Sequence, residues 1–244
     1  MREVLQKVIA QSGLCSRHEA QKLIASGLVK LNNKTARLGD RATQEDLITV
    51  RGKKLTFTKD HVYIKLYKPV GVVSTTRSFE GEKNVFDIVK TKRALSIVGR
   101  LDKDSEGLLL LTDDGNLAYK LTHPKFNIDK VYRVILSHDL GRDKQEIKKK
   151  LEEISFNFRK GINIGQGDGV VKAERVKYLR GRSFEIILEE GKKRQIRRMF
   201  RGVGCHVERL IRVRIGTLTI GGISRGRWKH LGKDEIAKLK TRLR

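Results

Sequence analysis

The chain has 244 residues, room for two compact bodies when domains run to about 100–200 residues each. Its 38% hydrophobic content can fill a core, so the 34% charged content does not mark a disordered chain. Lys and Arg number 54 against 28 Asp and Glu, and this net +26 argues against a purely small-molecule enzyme and asks for a polyanionic partner.

In chain order, Val4, Leu5, Val8 and Ile9 fall at helical spacing and stop at Gly13, predicting a short amphipathic helix over 3–13. Ser16, with Glu19 three positions on, predicts a capping box for a second helix whose apolar face is Ala20, Leu23 and Ile24. After Gly27 the pattern changes to strands: Leu28, Val29 and Leu31, the turn pair Asn32–Asn33, then Leu47, Ile48 and Val50. Cys15 and Cys205 have no paired spacing, which excludes a disulfide framework or zinc ribbon and points to a reducing, cytoplasmic setting. No run approaches the roughly 18 apolar residues of a membrane span, so no membrane association is expected.

Residues 16–24, 27–32, 39–40 and 46–48 resemble the alpha-L RNA-binding domain named after ribosomal protein S-four. The resemblance implies an RNA-binding domain over 1–59, with Arg17, Lys22, Lys30 and Lys34 meeting RNA, although a solvated basic face would look the same. The only cue to a boundary is the polar stretch at 56–60. Beyond it, Val62–Leu66 alternates like a half-buried strand before the Lys68–Gly71 turn, and further strands are predicted at 131–136, 170–180, 183–189 and 209–220. Asn84 can cap a helix over 85–89, and Ile147, Leu151 and Ile154 line one face of a helix over 144–154. Uneven mixing of strands and helices favours an α+β fold over a βαβ repeat, with 60–244 as one larger domain.

The densest chemical signal is Gly99–Gly115. Asp102 sits on a loop flanked by glycines and followed by Leu108–Leu111, a run that can only be buried, so the carboxylate can be both rigid and accessible. Asp104 and Glu106 compete as ordinary loop acids, and Asp113–Asp114–Gly115 reads as a turn. A second signal is basic: between 191 and 230, twelve Lys or Arg face one acid, Glu208, which suits a phosphate backbone. Within it Ile196, Met199, Phe200 and Val203 can bury one stripe of a helix and leave Arg194, Arg198 and Arg201 outside. Gly165–Gly169 reads as a hairpin loop, since no phosphate-loop spacing follows.

Four blocks in order, at 67–71, 99–112, 121–134 and 190–199, together with 209–214 and 226–228, resemble the bacterial ribosomal RNA pseudouridine synthases of the RsuA/RluB type. The resemblance implies a catalytic domain built on a mixed, mainly antiparallel sheet flanked by helices. It makes Asp102 the catalytic aspartate, Tyr132 the ring that stacks on the target base and Arg197 the basic partner of Asp102. Arg100, Lys192, Lys193, Arg194, Arg198 and Arg201 join the RNA-contacting set. The reaction oxidises and adds nothing, so no cofactor or metal is expected; ribosomal RNA or an assembly intermediate is the expected partner, and the protein is expected to be a monomer. Residues 191–198 lean towards the large-subunit branch. Two other readings stand beside this one: a non-catalytic RNA-binding assembly factor, and a glycosidase-like hydrolase using Asp102 with Asp104 or Glu106.

Overall fold

A computed structural model of the chain describes residues 2–57, 60–91 and 93–241. In the N-terminal body, β1 (Glu3–Val4) leads into α1 (Leu5–Gln11) and α2 (Arg17–Ala25). The short strands β2 (Val29–Leu31), β3 (Lys34–Thr35), β4 (Arg41–Ala42), β5 (Ile48–Val50) and β6 (Lys53–Lys54) follow. β2 lies between β3 and β5, and Asn32 and Asn33, at φ 49° and 67°, make the left-handed turn that the β2–β3 hairpin needs. Ser16 accepts from the Glu19 backbone N–H (3.1 Å), so half of the expected capping box forms. Leu5, Val8, Ile9, Leu23, Ile24, Val29 and Ile48 close a separate small core. The expected boundary near residue 60 adjoins Thr58 and Lys59, which lie outside the described residues.

The larger body is one nine-stranded sheet. Its strands are β7 (Tyr63–Lys68), β8 (Ser96–Val98), β9 (Glu106–Thr112), β10 (Lys130–Leu136), β13 (Arg175–Arg180), β14 (Ser183–Leu188), β15 (Val207–Ile215), β16 (Leu218–Thr219) and β17 (Trp228–His230). The order is β13–β14–β10–β15–β9–β7–β17, with β16 added on β15 and β8 on β9. A separate hairpin, β11 (Ile162–Asn163) and β12 (Val170–Val171), encloses the glycine-rich loop, as the sequence suggested. The predicted strand over 170–180 is therefore two strands in different sheets.

Among the described residues only β9 and β15 pair in parallel within the large sheet, joining two antiparallel halves. One half packs Tyr132, Val134, Phe184, Ile186 and Leu188 against Phe158 of α5 (Lys144–Lys160) and Ile196, Met199 and Phe200 of α6 (Gln195–Gly202). On the other half, α4 (Gly115–Thr122) and α7 (Lys233–Thr241) cover Tyr63, Leu108 and Leu110, while α3 (Val85–Ile88) lies by Leu66, Leu109 and Leu111. Asn84 caps α3 with a full capping box. All four residues of the leucine run are completely buried because β9 is central and covered on both faces.

Two sequence readings are corrected here. Lys65 does not face solvent in a half-buried strand: it is buried, and its Nζ donates to Glu235 of α7 (2.7 Å) and to Gly221 O (2.9 Å). Nor is Asp113–Asp114 merely a turn. Asp113 is buried and accepts from Val62 N–H (2.9 Å) while pairing with His61 and Arg93 (3.1 Å each). Asp114 caps α4 through Leu117 N–H (2.9 Å) and accepts from the Tyr63 hydroxyl (2.7 Å). Beside them, Ala94 N–H donates to Gly13 O (3.1 Å), tying the end of α1 to the larger body. Burial made these polar groups structural, and no local spacing marks a polar side chain as buried.

Gly107 makes the parallel pairing possible. Its φ is +112°, and a Cβ there would lie 2.4 Å from Arg212 O. Gly107→Ala is expected to destabilise the protein by about 3 kcal/mol, from backbone strain plus overpacking; an unchanged denaturant midpoint would refute this. Lys68, fully buried at the end of β7, donates to Pro69 O (2.9 Å) and Val72 O (2.7 Å). Burial outweighs the attraction of Asp104 and Asp102 and lowers its pKa from 10.5 to about 8. Between those values the unfolded chain binds more protons, so the folded state gains as pH rises from about 8 to 10.5. Measured against Lys68→Met, which removes the titration, wild-type stability should climb over that window, and a flat difference would contradict the assignment.

Candidate active site

The loop that carries Asp102 connects β8 to β9 and is held residue by residue through its backbone. Arg212 Nη1 donates to Arg100 O (3.4 Å). Ser74 Oγ accepts from Leu101 N–H (3.2 Å) and donates to Leu101 O (2.9 Å). Ser105 N–H closes a turn on Asp102 O (3.0 Å), Gly71 N–H reaches Lys103 O (2.8 Å), and Arg197 Nη2 donates to Asp104 O (2.8 Å). Five consecutive carbonyls are thus engaged, all but that of Asp102 by side chains or backbone of distant elements. Such a loop has few conformations left to sample, which keeps its side chains in place without help from a ligand.

The three carboxylates of this stretch differ in their partners. Glu106, buried at the start of β9, pairs with Arg209 (2.9 Å) and Arg225 (3.2 Å). Asp104 pairs with Arg194 (2.7 Å) and Arg197 Nε (3.4 Å). Burial alone would raise the Asp104 pKa, but the Arg194 hydrogen bond and the Arg197 charge prevail and hold it below the usual carboxylate value. Asp102 is half-buried, and no side-chain hydrogen bond or ion pair holds its carboxylate among the described residues. It opens on a cleft of about 540 Å³ walled by Ser74, Arg100, Ser105, Tyr132, Leu188, Leu210 and residues 191–196. A second depression of like volume, by Pro124, Arg159 and Glu189, takes in neither Asp102 nor Tyr132.

The expected pairing of Arg197 with Asp102 is therefore corrected. Arg197 projects from the first turn of α6 and is spent on Asp104, on the Asp104 carbonyl and on Val207 O (2.7 Å). Asp102 lies close enough to act on it only as a distant charge. Tyr132 is 9% exposed, part of the core and also part of the cleft wall, so packing and site are both its surroundings.

Of the basic residues expected to meet RNA, Arg17, Lys22, Lys30, Lys34, Arg100, Lys193, Arg194 and Arg201 are exposed, although Arg194 also pairs with Asp104. Arg198 is corrected: its guanidinium turns inward to Asp168 and to Ile164 O (3.2 Å) and Gly165 O (3.1 Å), fastening the β11–β12 hairpin to α6. Lys192, half-buried, donates to Asp168 O on the same hairpin. Sequence reasoning missed Ser74, Gly71 and Arg212, because each acts through a backbone carbonyl far away in the chain and carries no spacing signal. Arg212 at least lay inside the basic stretch.

Residues 62–201 match the model of the RNA pseudouridylate synthase family, and residues 5–48 match the S4 domain. The chain is 38% identical to the ribosomal large subunit pseudouridine synthase B of Bacillus subtilis, over 98% of this chain and 96% of that one. It is 36% identical to the dual-specificity RNA pseudouridine synthase RluF of Escherichia coli K12, over 96% of this chain and 77% of that one. A crystal structure of a pseudouridylate synthase superposes with a TM-score of 0.66 at 29% identity, covering 98% of this chain and 99% of the other. The ordered motifs, the mixed sheet with its clamped acidic loop, and these matches together place the chain in the RNA pseudouridine synthase family, with an S4 domain preceding its catalytic domain.

Proposed function

We propose that this protein isomerises a particular uridine of structured ribosomal RNA to pseudouridine, with Asp102 as the group that acts at the sugar. The observation that supports this most is the contrast among the three acids: Asp104 and Glu106 are neutralised by arginines, whereas Asp102 stands unpaired on a clamped loop at the cleft. The same contrast weighs against the hydrolase reading, because neither neighbour is free to serve as a second acid. Isomerisation breaks the bond from ring N1 to the sugar, turns the uracil and joins ring C5 to the anomeric carbon. A carboxylate serves this either as nucleophile at C1′ or as base at the sugar, and no cofactor is required.

Tyr132, on β10 at the cleft wall, is suited to stack on a flipped-out base, which an enzyme must take out of the helix before reacting it. Arg197 acts here as a positioning residue that fixes the loop through Asp104. We assign residues 60–244 to catalysis and 1–59 to general RNA grip through Arg17, Lys22, Lys30 and Lys34. The likeness to the large-subunit synthase of B. subtilis supports ribosomal large-subunit RNA as the substrate.

Base-resolved pseudouridine mapping of ribosomal RNA from cells lacking the gene should show one uridine unmodified, restored by wild type and not by Asp102→Asn. Purified Asp102→Asn should still bind that RNA with wild-type affinity; restoration by the Asn variant would sink the assignment. Replacing Lys30 and Lys34 by Ala should weaken RNA binding and flatten the slope of log K against log salt by about 0.7–0.9 for each phosphate no longer neutralised. Single-turnover chemistry at saturating enzyme should be unchanged, and a slower chemical step would place these lysines in the wrong role.

A further inference from the structure

The half of the large sheet that carries Tyr132 is closed on one face and open on the other. Along β10, Tyr132, Val134 and Leu136 enter the core under α5 and α6, as do Phe184, Ile186 and Leu188 of β14. Successive side chains of a strand point to opposite faces, so Val131, Arg133 and Ile135 of β10 stand on the reverse with Ser183, Glu185 and Ile187 of β14. Val131, Ile135, Ile187 and Ile211 belong to no hydrophobic core, so among the described residues no helix packs a core against this face. α4 and α7 lie on the same side of the sheet, but the core under them takes only Ile215 from these strands. The Asp102 cleft, walled by Tyr132, Leu188 and Leu210, opens on the other face.

Pairing register sets out the charges on the open face. Lys177, Glu185 and Arg133 form one row across β13, β14 and β10; Arg175 lies in the row to one side, opposite Ile187, and Arg180 in the row to the other, opposite Ser183. Lys177 and Arg175 are thus about 7 Å apart along β13, and Lys177 and Arg133 about 10 Å apart across β14. All four cations are exposed, and none has an ion pair among the described residues. Glu185, half-buried, is the one acid in these rows. The core of a protein interface is depleted of charge, whereas here charge holds the centre and Ile135 and Ile187 lie half-buried beside it. No aromatic ring stands on these rows either, which leaves nothing for bases to stack on. What remains is a flat array of unneutralised cations, suited to the phosphates of an RNA backbone.

We propose that the open face of β13, β14 and β10 is a second RNA-binding surface, which holds the sugar–phosphate backbone of a segment of the substrate other than the one that enters the cleft. RNA as the partner rests on the isomerase reading. Because this face and the cleft lie on opposite sides of the sheet, a single short stem cannot touch both, and the RNA has to pass round the sheet. The surface therefore adds affinity only for RNA with further structure around the target. Contacts to phosphates position an RNA without reading its sequence, so specificity and the chemical step stay with the cleft.

The test uses the full chain and two protein-free transcripts that carry the uridine identified by mapping: a short stem-loop alone, and the whole ribosomal RNA domain around it. With Arg133→Gln, Arg175→Gln and Lys177→Gln combined, binding to the domain should weaken by about tenfold or more at low salt, and the slope of log K against log salt should flatten by about 2–3. Affinity for the stem-loop and its single-turnover conversion should stay at wild-type values. Arg133→Lys with Arg175→Lys, which keeps the charge, should bind the domain as wild type does. If the triple variant does not fold, Lys177→Gln alone, on the edge strand, should flatten the slope by about 0.7–0.9. Unchanged binding to the domain transcript overturns the inference, and if binding to protein-bearing assembly particles falls instead, the face meets protein. An equal loss on both RNAs overturns it too, because the cations would then act on the cleft through their field alone. A wild-type protein that binds the domain through this face but converts neither RNA would instead show that the isomerase reading itself is wrong.

Discussion

The backbone of residues 100–104 is the constraint on which the site depends. A carboxylate held on a free loop would spend most of its time away from any one geometry, at a cost of about 1–2 kcal/mol per residue to order on demand. Here that cost is met at folding, by hydrogen bonds from Arg212, Ser74, Ser105, Gly71 and Arg197 to successive carbonyls. Each bond contributes about 1 kcal/mol, somewhat more from the guanidinium groups, and their number matters more than any one of them. The clamps come from the β7–α3 connection, from α6 and from β15, so both halves of the large sheet have to be in place before Asp102 is.

That requirement explains the single parallel pairing. Joining two antiparallel halves edge to edge through β9 and β15 puts the start of β9, where the acidic loop ends, beside the middle of β15 and one strand from Tyr132. The close approach is open only to glycine at position 107, because any Cβ would strike the backbone of Arg212. Topology thus brings Asp102 and Tyr132, far apart in the sequence, to one cleft, with Arg212 bracing the loop from behind.

Electrostatics then sorts groups that composition leaves equivalent. The stretch 191–230 carries eleven more positive than negative charges by residue type, yet its basic residues divide into three uses. Arg197, Arg198 and Arg209 are consumed by carboxylates of the protein itself, Lys193 and Arg201 face solvent, and Arg212 is buried with no ion pair among the described residues. Only the exposed share is available to a phosphate backbone. The N-terminal domain, with its own separate core, leaves its four basic residues on α2, β2 and β3 exposed.

Much of this was legible in the sequence. Period and punctuation placed α1, α2, the Asn–Asn hairpin, the caps at Ser16 and Asn84, and the burial of the leucine run, because these depend on neighbours within a few residues. Ordered motif blocks gave the family and singled out Asp102 and Tyr132. What only the tertiary structure decided was partnership. Arg197 chose Asp104 over Asp102, Arg198 turned inward, Asp113 and Asp114 became buried anchors, and Lys65 and Lys68 were enclosed by a sheet covered on both faces. The physical reason is that local conformation follows from sterics between adjacent residues, whereas the choice among several nearby charges depends on desolvation and distance, and both are set by chain segments far apart in the sequence.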